Sequence, residues 1–251
     1  MHPSNWTRRA EFARGMRAIV PLVIGAAPFG VIFGAVAVSG GVVAEGETAH
    51  QLSPLAVQSM SLFVYAGASQ FIATELVRNA AAVLVVIFTT LIVNLRHALY
   101  SASLAPYLRG FPQRWLAPLA FGLTDEVFVV SIARYQQADS SPYKHWYQAG
   151  AAVLMYSGWQ FFTLIGILAG RSIPPEQVAR LGLNFAATVT FIGMLIPMLQ
   201  SRALLLSAAA AGAASVLFYG LPNRLGLLVA ALVGIAAGVL AERAKARVPH
   251  G

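Results

Sequence analysis

The sequence predicts an all-α polytopic membrane protein with about eight transmembrane helices. Of its 251 residues, 58% are apolar and 10% are charged, and the mean hydropathy is +0.69, whereas an ordinary soluble domain carries about 25% charged residues. A membrane-spanning helix needs roughly 20 mostly apolar residues. Segments of that kind lie at 17–39, 54–77, 79–106, 115–134, 147–170, 183–200, 203–220 and 224–241. They leave almost no chain for a soluble domain.

The basic residues predict which side of the membrane each loop occupies. The net charge is +8, which in a soluble protein would suggest nucleic acid as a partner. With both termini placed in the cytoplasm, eleven basic residues fall inside and five outside, as the positive-inside rule expects. The inside group is Arg8, Arg9, Arg14, Arg17, Arg78, Arg134, Lys144, Arg202, Arg243, Lys245 and Arg247, and the outside group is Arg109, Arg114, Arg171, Arg180 and Arg224. The basic charge therefore indicates a lipid bilayer and not nucleic acid.

The first span contains GAAPFGVIFG at residues 25–34. Pro28 removes a backbone donor and Gly30 loosens the helix, so a break or kink is expected here, with Pro28, Phe29 and Gly30 as candidate substrate contacts. The alternative is that Gly30 and Gly34 form a GxxxG packing face, as Gly166 with Gly170 and Gly234 with Gly238 can also do.

The second span contains YAGASQF at residues 65–71. Its small residues allow close backbone approach, and its neutral polar groups suit a zwitterionic ligand. The candidate binding residues are Tyr65, Gly67, Ser69, Gln70 and Phe71. Glu75 is expected to pair with Arg78 at the end of the span and not to act in transport.

Spans three and four carry the ionisable residues of the interior. VNLRHALYSASLAP at 93–106 supplies Asn94, Arg96 and His97, and GLTDEVFVV at 122–130 supplies Asp125 and Glu126. Ionisable groups within spans are functional candidates by default. Arg96 can meet Asp125 or Glu126, either as part of a site or as a structural ion pair. Asp125 is the first candidate for a proton-carrying group, with Glu126 and His97 beside it.

An internal repeat is predicted from four anchors that recur in order. PLVIG, YAGASQF, VNL and LAP in residues 17–106 correspond to PLAFG, YSGWQF, LNF and LIP in residues 115–200. Two units of three spans would have opposite orientations and would place a substrate site at the membrane midplane between them. Two further helices at 203–241 complete a single transport domain over residues 1–251.

Several of these segments resemble the large subunit of AzlC-type branched-chain amino acid exporters, the azaleucine-resistance permease family. PFGVIFG, FVYAGASQF, VNLRHALYSASLAP and LTDEVF carry the resemblance, and the third is its most specific part. The resemblance implies a bacterial inner-membrane permease that exports branched-chain amino acids together with a small AzlD-type membrane subunit. One departure is Asn184, where the family usually has an aspartate.

Other functions were weighed against this one. An intramembrane hydrolase would need an activated serine beside His97 and Asp125, but the chain has no GxSxG motif. A passive channel or a non-transporting membrane subunit stays an alternative. With no cysteine in the chain, disulfides and a cysteine-based metal site are excluded, and no metal or cofactor is predicted. The expectation is a proton-coupled transporter and not an enzyme.

Overall fold

The computed structural model describes residues 6–39, 52–172, 192, 196, 199, 201–221 and 225–246, and within them regular structure is helical. The longer helices are α1 (Arg8–Ser39), α4 (Val83–Leu108) and α7 (Lys144–Ser172). The remaining helices are α2 (Pro54–Phe63), α3 (Gly67–Arg78), α5 (Gln113–Phe121), α6 (Asp125–Tyr135), α8 (Arg202–Leu217) and α9 (Leu225–Ala246). Among the described residues, α1, α4 and α7 are long and apolar enough to cross a membrane.

The centre of the fold is a parallel pair of helices, α1 and α7. Glycines let the two backbones touch, because a Cβ atom at these positions would collide with the facing helix. Early residues of α1 face early residues of α7, and late residues face late ones, so the two helices run in the same direction. The contacts, each from a glycine to the residue it faces, are Gly15 to Tyr147, Gly34 to Thr163, Gly166 to Val31 and Gly170 to Ala35.

The expected break in the first span is wrong, and the packing alternative is confirmed. Helix α1 continues through both Pro21 and Pro28. Gly30 and Gly34 lie against α7, where a Cβ on Gly30 would come 2.8 Å from the Cβ of Phe162. Close packing along α7 supports the helix past the missing amide donor of Pro28, which is why the proline does not end it.

Helices α2 and α3 form a hairpin, called hairpin one, where the sequence predicts a single crossing at 54–77. Gln70 Nε2 donates to Ser61 Oγ at 2.9 Å, although nine residues of straight helix would span about 13 Å. Phe71 packs on Phe33 of α1, beside Val57 from the start of α2. The chain therefore enters from the C-terminal end of α1, turns at residues 64–66 and returns to the same end.

Helices α5 and α6 form hairpin two, which enters from the opposite end. Gln148 at the N-terminal end of α7 receives a hydrogen bond from Tyr135 Oη at 3.0 Å and donates to the carbonyl of Leu119 at 3.4 Å. These two partners are sixteen residues apart, which in a straight helix would be about 24 Å. The predicted crossing at 115–134 is thus also a hairpin, and its turn lies at Gly122–Thr124.

Because hairpin one returns the chain to the end it came from, α4 runs antiparallel to α1. Its later residues approach the N-terminal end of α7, where Tyr107 stacks on Tyr135 and Phe111 lies 4.6 Å from the ring of His145. This corrects the predicted sides of three basic residues. Arg109 and Arg114 lie at the same end as the N-terminus of α1, and Arg78 lies at the opposite end.

The correction strengthens the charge asymmetry. Apart from Arg96, the basic residues of the described 6–172 region divide eight to two between the ends. The end that carries eight, called the basic end, has Arg8, Arg9, Arg14, Arg17, Arg109, Arg114, Arg134 and Lys144, whereas Arg78 and Arg171 lie at the other. Glu75 does approach Arg78, at 3.9 Å, as predicted.

Helices α8 and α9 pack on each other. Ser207 Oγ donates to the carbonyl of Gly234 at 2.7 Å, and Gly238 also faces Ser207. The two glycines thus serve packing inside the chain. The predicted span 183–200 falls almost entirely outside the described residues, and Asn184 lies outside them, so the three-plus-three repeat stays a prediction.

Candidate functional site

The turns of the two hairpins meet in the middle of the bundle and enclose a cavity of about 240 Å³. The rings of Tyr65 from hairpin one and Phe121 from hairpin two lie 6.0 Å apart. Helices α1, α4 and α7 close the sides. Of the predicted site residues, the cavity wall includes Phe29, Tyr65, Gly67, Phe71, Arg96, His97, Asp125 and Glu126.

An ion pair crosses one wall of the cavity. Arg96 Nη1 of α4 lies 2.5 Å from Asp125 Oδ2 at the first turn of α6, so the sequence-predicted meeting of these residues is confirmed. The pair is open to the cavity, because the Arg96 and Asp125 side chains are 24% and 38% exposed. Arg96 Nε is buried and has no hydrogen-bonding partner among the described residues. One donor of the guanidinium group is therefore left unpaired.

The turn of hairpin one places backbone amides at the cavity. Helix α3 begins at Gly67, and no side chain caps its first turn. The preceding Tyr65 has φ 47°, a left-handed conformation that is strained for a bulky residue. Within the described part of the chain, its buried hydroxyl has no hydrogen-bonding partner. A bare helix N-terminus beside an unpaired hydroxyl donor is suited to an anionic group.

Gly67 fits this position because the indole of Trp159 lies directly against it. A Cβ at Gly67 would come 2.9 Å from Trp159 Cη2. Trp159 also stacks on Phe33 and donates from Nε1 to Gln70 Oε1 at 3.1 Å. The tryptophan therefore forms a fixed floor of the cavity beneath the first turn of α3.

The other predicted binding residues lie outside the cavity wall. Ser69 Oγ donates to Asn94 Oδ1 at 2.7 Å, which ties α3 to α4. Gln70 is fully buried between Ser61 and Trp159, and it holds the hairpin closed. Pro28 lies exposed on α1, and Gly30 is buried against α7. The sequence singled out these residues because they are polar or because they flank a proline, and their assignment to the substrate stays a prediction. In the structure Ser69, Gln70 and Asn94 join the helices that line the cavity.

Some wall residues had no place in the sequence prediction. They are Pro21, Leu22, Gly25, Ala26, Ala66, Ala68, Thr124, Met155 and Trp159. Thr124 had a readable signal: it precedes two acidic residues, and Ser or Thr followed by Asp or Glu is typical of a helix start. In the structure Thr124 Oγ1 accepts from the amide of Val127 at 3.4 Å. The apolar wall residues carry no such signal.

Hairpin two is held at its base by a buried charge network. Arg134 donates to both oxygens of the Glu11 carboxylate, at 3.0 and 2.7 Å, and to Asp139 at 2.6 Å. Burial tends to raise the pKa of the Asp139 carboxyl, but hydrogen bonds from Arg134 and the Ser141 amide, together with the charges of Arg134 and Lys144, lower it below its ordinary value. The last turn of α6 is therefore fixed to α1, while its first turn lines the cavity.

Together these features define a helical membrane protein with a partly charged, partly apolar cavity at the meeting point of two interrupted helices, an arrangement typical of transporters. The chain belongs to the AzlC protein family, whose model matches residues 21–173. All the residues that line the cavity lie within that range.

Similar proteins support this membership. The chain is 31% identical to the inner membrane protein YgaZ of Escherichia coli over 238 residues, which cover 92% of this chain and 89% of the relative. It is 32% identical to an uncharacterized membrane protein of Archaeoglobus fulgidus, with 91% and 94% covered. It is 29% identical to the branched-chain amino acid transport protein AzlC of Bacillus subtilis, with 55% and 52% covered. No solved structure matches the chain significantly.

Proposed function

We propose that the protein exports branched-chain and similar apolar L-amino acids across the bacterial inner membrane, as the large subunit of a two-component carrier. The cavity between the hairpin turns carries the proposal, because donors for an anion, carboxylates for a cation and an apolar wall line one space of about 240 Å³. The Bacillus subtilis relative is named as a branched-chain amino acid transport protein, which agrees with the proposal.

The substrate carboxylate binds at the first turn of α3. The amides near Gly67 and Ala68 have no side-chain cap, and the hydroxyl of Tyr65 has no partner. Burial of the Tyr65 hydroxyl without an acceptor is costly, and a carboxylate would accept hydrogen bonds from it and from the amides. Arg96 supplies a second contact from the facing wall.

The substrate ammonium binds near Glu126, which lies next to Asp125 at the first turn of α6. The side chain then lies against apolar groups of α1 and α7, including Phe29, Met155 and Trp159. One methylene is worth about 1–3 kcal/mol in such a pocket. Discrimination among valine, leucine and isoleucine is therefore weak.

Proton coupling follows because Asp125 and the substrate carboxylate compete for Arg96. When Asp125 is ionised, it holds Arg96 at 2.5 Å. Protonation of Asp125 removes the charge partner, which frees Arg96 to bind the substrate carboxylate. His97 and Glu126 line the same cavity and lie on the path of the proton. Proton binding and substrate binding are thereby linked through one guanidinium group.

The basic end faces the cytoplasm, in accordance with the positive-inside rule. This orientation places the N-terminus inside, and we assign the C-terminus to the same side. The partner is a small AzlD-type membrane subunit, as the family resemblance implies.

The experiment is efflux of preloaded labelled leucine, valine, methionine and lysine from proteoliposomes, with and without the small subunit and across an imposed pH gradient. We expect efflux of the apolar amino acids but not of lysine, with saturation and counterflow. Asp125→Asn should abolish the dependence on the pH gradient, whereas Glu75→Gln, which removes a carboxylate outside the cavity, should keep it.

Three results would count against the proposal. Efflux without saturation or counterflow would indicate a channel. Full gradient dependence in Asp125→Asn would exclude Asp125 as the coupling group. If folded protein moved none of the amino acids under any of the conditions, the proposed substrate class would be wrong.

A further inference from the structure

A second cleft lies at the basic end, apart from the central cavity. Its volume is about 440 Å³, and it shares no lining residue with the cavity between the hairpins. The start of α1, the start of α5 and the start of α7 enclose it. Its main lining residues are Arg8, Arg114, Trp115, Tyr143, His145 and Trp146.

The cleft carries two positive charges that have no counterion among the described residues, those of Arg8 and Arg114. By contrast, Arg14, Arg134 and Lys144 at the same end are paired with carboxylates. The other basic residues of this end that form no described ion pair, Arg9, Arg17 and Arg109, do not line the cleft. The guanidinium carbon of Arg8 lies 5.9 Å and 6.0 Å from the ring centroids of Tyr143 and Trp146. The aromatic faces hold Arg8 over the cleft without neutralising it.

A buried polar atom in the cleft also lacks a partner. His145 is 8% exposed, and its Nδ1 forms no hydrogen bond. The imidazole is fixed among aromatic rings, with centroids 4.6 Å from Phe111, 4.7 Å from Trp115 and 6.0 Å from Trp146. In the tautomer with a hydrogen on Nδ1, the ring has a donor without an acceptor among the described residues. The two guanidinium groups favour an anion, and the imidazole can donate to it in the tautomer that has the hydrogen on Nδ1.

The position of the cleft identifies the source of that anion. Tryptophan and tyrosine side chains gather around it at one end of the long apolar helices α1 and α7, as they do at the level of lipid headgroups. We propose that this cleft binds the phosphate group of an anionic phospholipid, with Arg8 and Arg114 as charge partners and His145 as a hydrogen-bond donor. Basic pockets between helices at the cytoplasmic face are suited to such headgroups.

The test measures lipid binding to the purified full-length protein by native mass spectrometry in detergent, with phosphatidylglycerol and phosphatidylcholine as probes. We expect the protein to retain phosphatidylglycerol in preference. Each basic group near an anionic headgroup contributes about fivefold in affinity, so Arg8→Gln with Arg114→Gln should weaken phosphatidylglycerol binding about 25-fold. His145→Phe keeps the ring packing and should weaken it further.

The matched control is Arg9→Gln with Arg17→Gln, which removes the same charge from exposed positions of α1 that do not line the cleft. It should change phosphatidylglycerol affinity by less than threefold. An equal loss in both double variants would mean a general surface potential and would overturn the site. Equal retention of the two lipids would do the same. Displacement of the lipid by millimolar inorganic phosphate would overturn the lipid assignment in favour of a free anion.

Discussion

Replacing Arg134 with methionine should destabilise the protein by about 3–5 kcal/mol, because it leaves the Glu11 carboxylate charged and buried without its main partner. The side chains of Glu11 and Arg134 are 0% and 4% exposed. Arg134 gives the carboxylate two hydrogen bonds, and the contacts that would remain to Glu11, from Arg14 and Ser141, are 3.4 and 3.3 Å long. Water cannot replace the lost donors at a site that is closed to solvent.

The variant Arg14→Met provides the matched control. Arg14 also contacts Glu11, but its side chain is 42% exposed and the distance is longer. Pairs of that kind contribute about 0–1 kcal/mol. A double variant, Glu11→Leu with Arg134→Met, removes both buried charges and should recover much of the loss, because it leaves neither charge unpaired.

The measurement is reversible unfolding in mixed detergent micelles, followed by far-ultraviolet circular dichroism. The single variant should lower the free energy of unfolding by at least three times the effect of Arg14→Met. A loss in Arg134→Met below about 1 kcal/mol would refute the reasoning. The reasoning would also be refuted if the double variant lost as much free energy of unfolding as Glu11→Leu and Arg134→Met lose in sum, since the two charges would then act independently.

Three further predictions test other parts of the fold by unfolding in the same micelles. Gly166→Val should lower the free energy of unfolding by at least about 3 kcal/mol, because a side chain there meets the backbone of α1. Gly212→Ala, with open space around it, should be neutral or stabilising by up to about 1 kcal/mol. Equal effects of the two variants would refute the close pairing of α1 with α7. Gln70→Leu should cost about 2–4 kcal/mol, because Ser61 and Trp159 lose buried partners, and an unchanged stability would show that hairpin one is held elsewhere. Asp139 has a lowered pKa, so its contribution to stability is present above the ordinary aspartate pKa and is lost as the pH falls through the lowered value. Asp139→Asn should remove this part of the loss of stability in acid. Identical pH profiles of unfolding for the variant and the original protein would contradict this prediction.

The sequence was sufficient to predict the membrane class, most helix positions and one central contact. Hydrophobic length alone located α1, α4 and α7, and the rarity of charges in the interior singled out Arg96 and Asp125 before any geometry was known. Hydrophobic length cannot distinguish one crossing from two half-length helices that fold back, since both are about twenty apolar residues. The hairpins were therefore missed.

Local signals mark the second turn better than the first. Gly122 followed by Thr124 and two acidic residues is typical of a helix end and a helix start, and the structure has both. At the first turn the chain bends at Tyr65, a residue type that rarely takes a positive φ. Contacts with Trp159 and Gln70 determine that turn, and such distant contacts are not readable from one sequence.

The opposed hairpins also explain why the cavity is electrically asymmetric. Both turns place the N-terminus of a helix at the cavity, α3 from one side and α6 from the other, and each N-terminus carries partial positive charge. In helix α6, Asp125 and Glu126 offset the partial positive charge of the N-terminus. Helix α3 begins with small uncharged residues and has no side-chain cap. The α3 side of the cavity is therefore left positive, whereas Asp125 and Glu126 bring negative charge to the α6 side, where Arg96 pairs with Asp125. That polarity arises from six residues at two turns, Ala66–Ala68 and Thr124–Glu126, and it supports a zwitterion as the substrate more directly than the composition of the walls does.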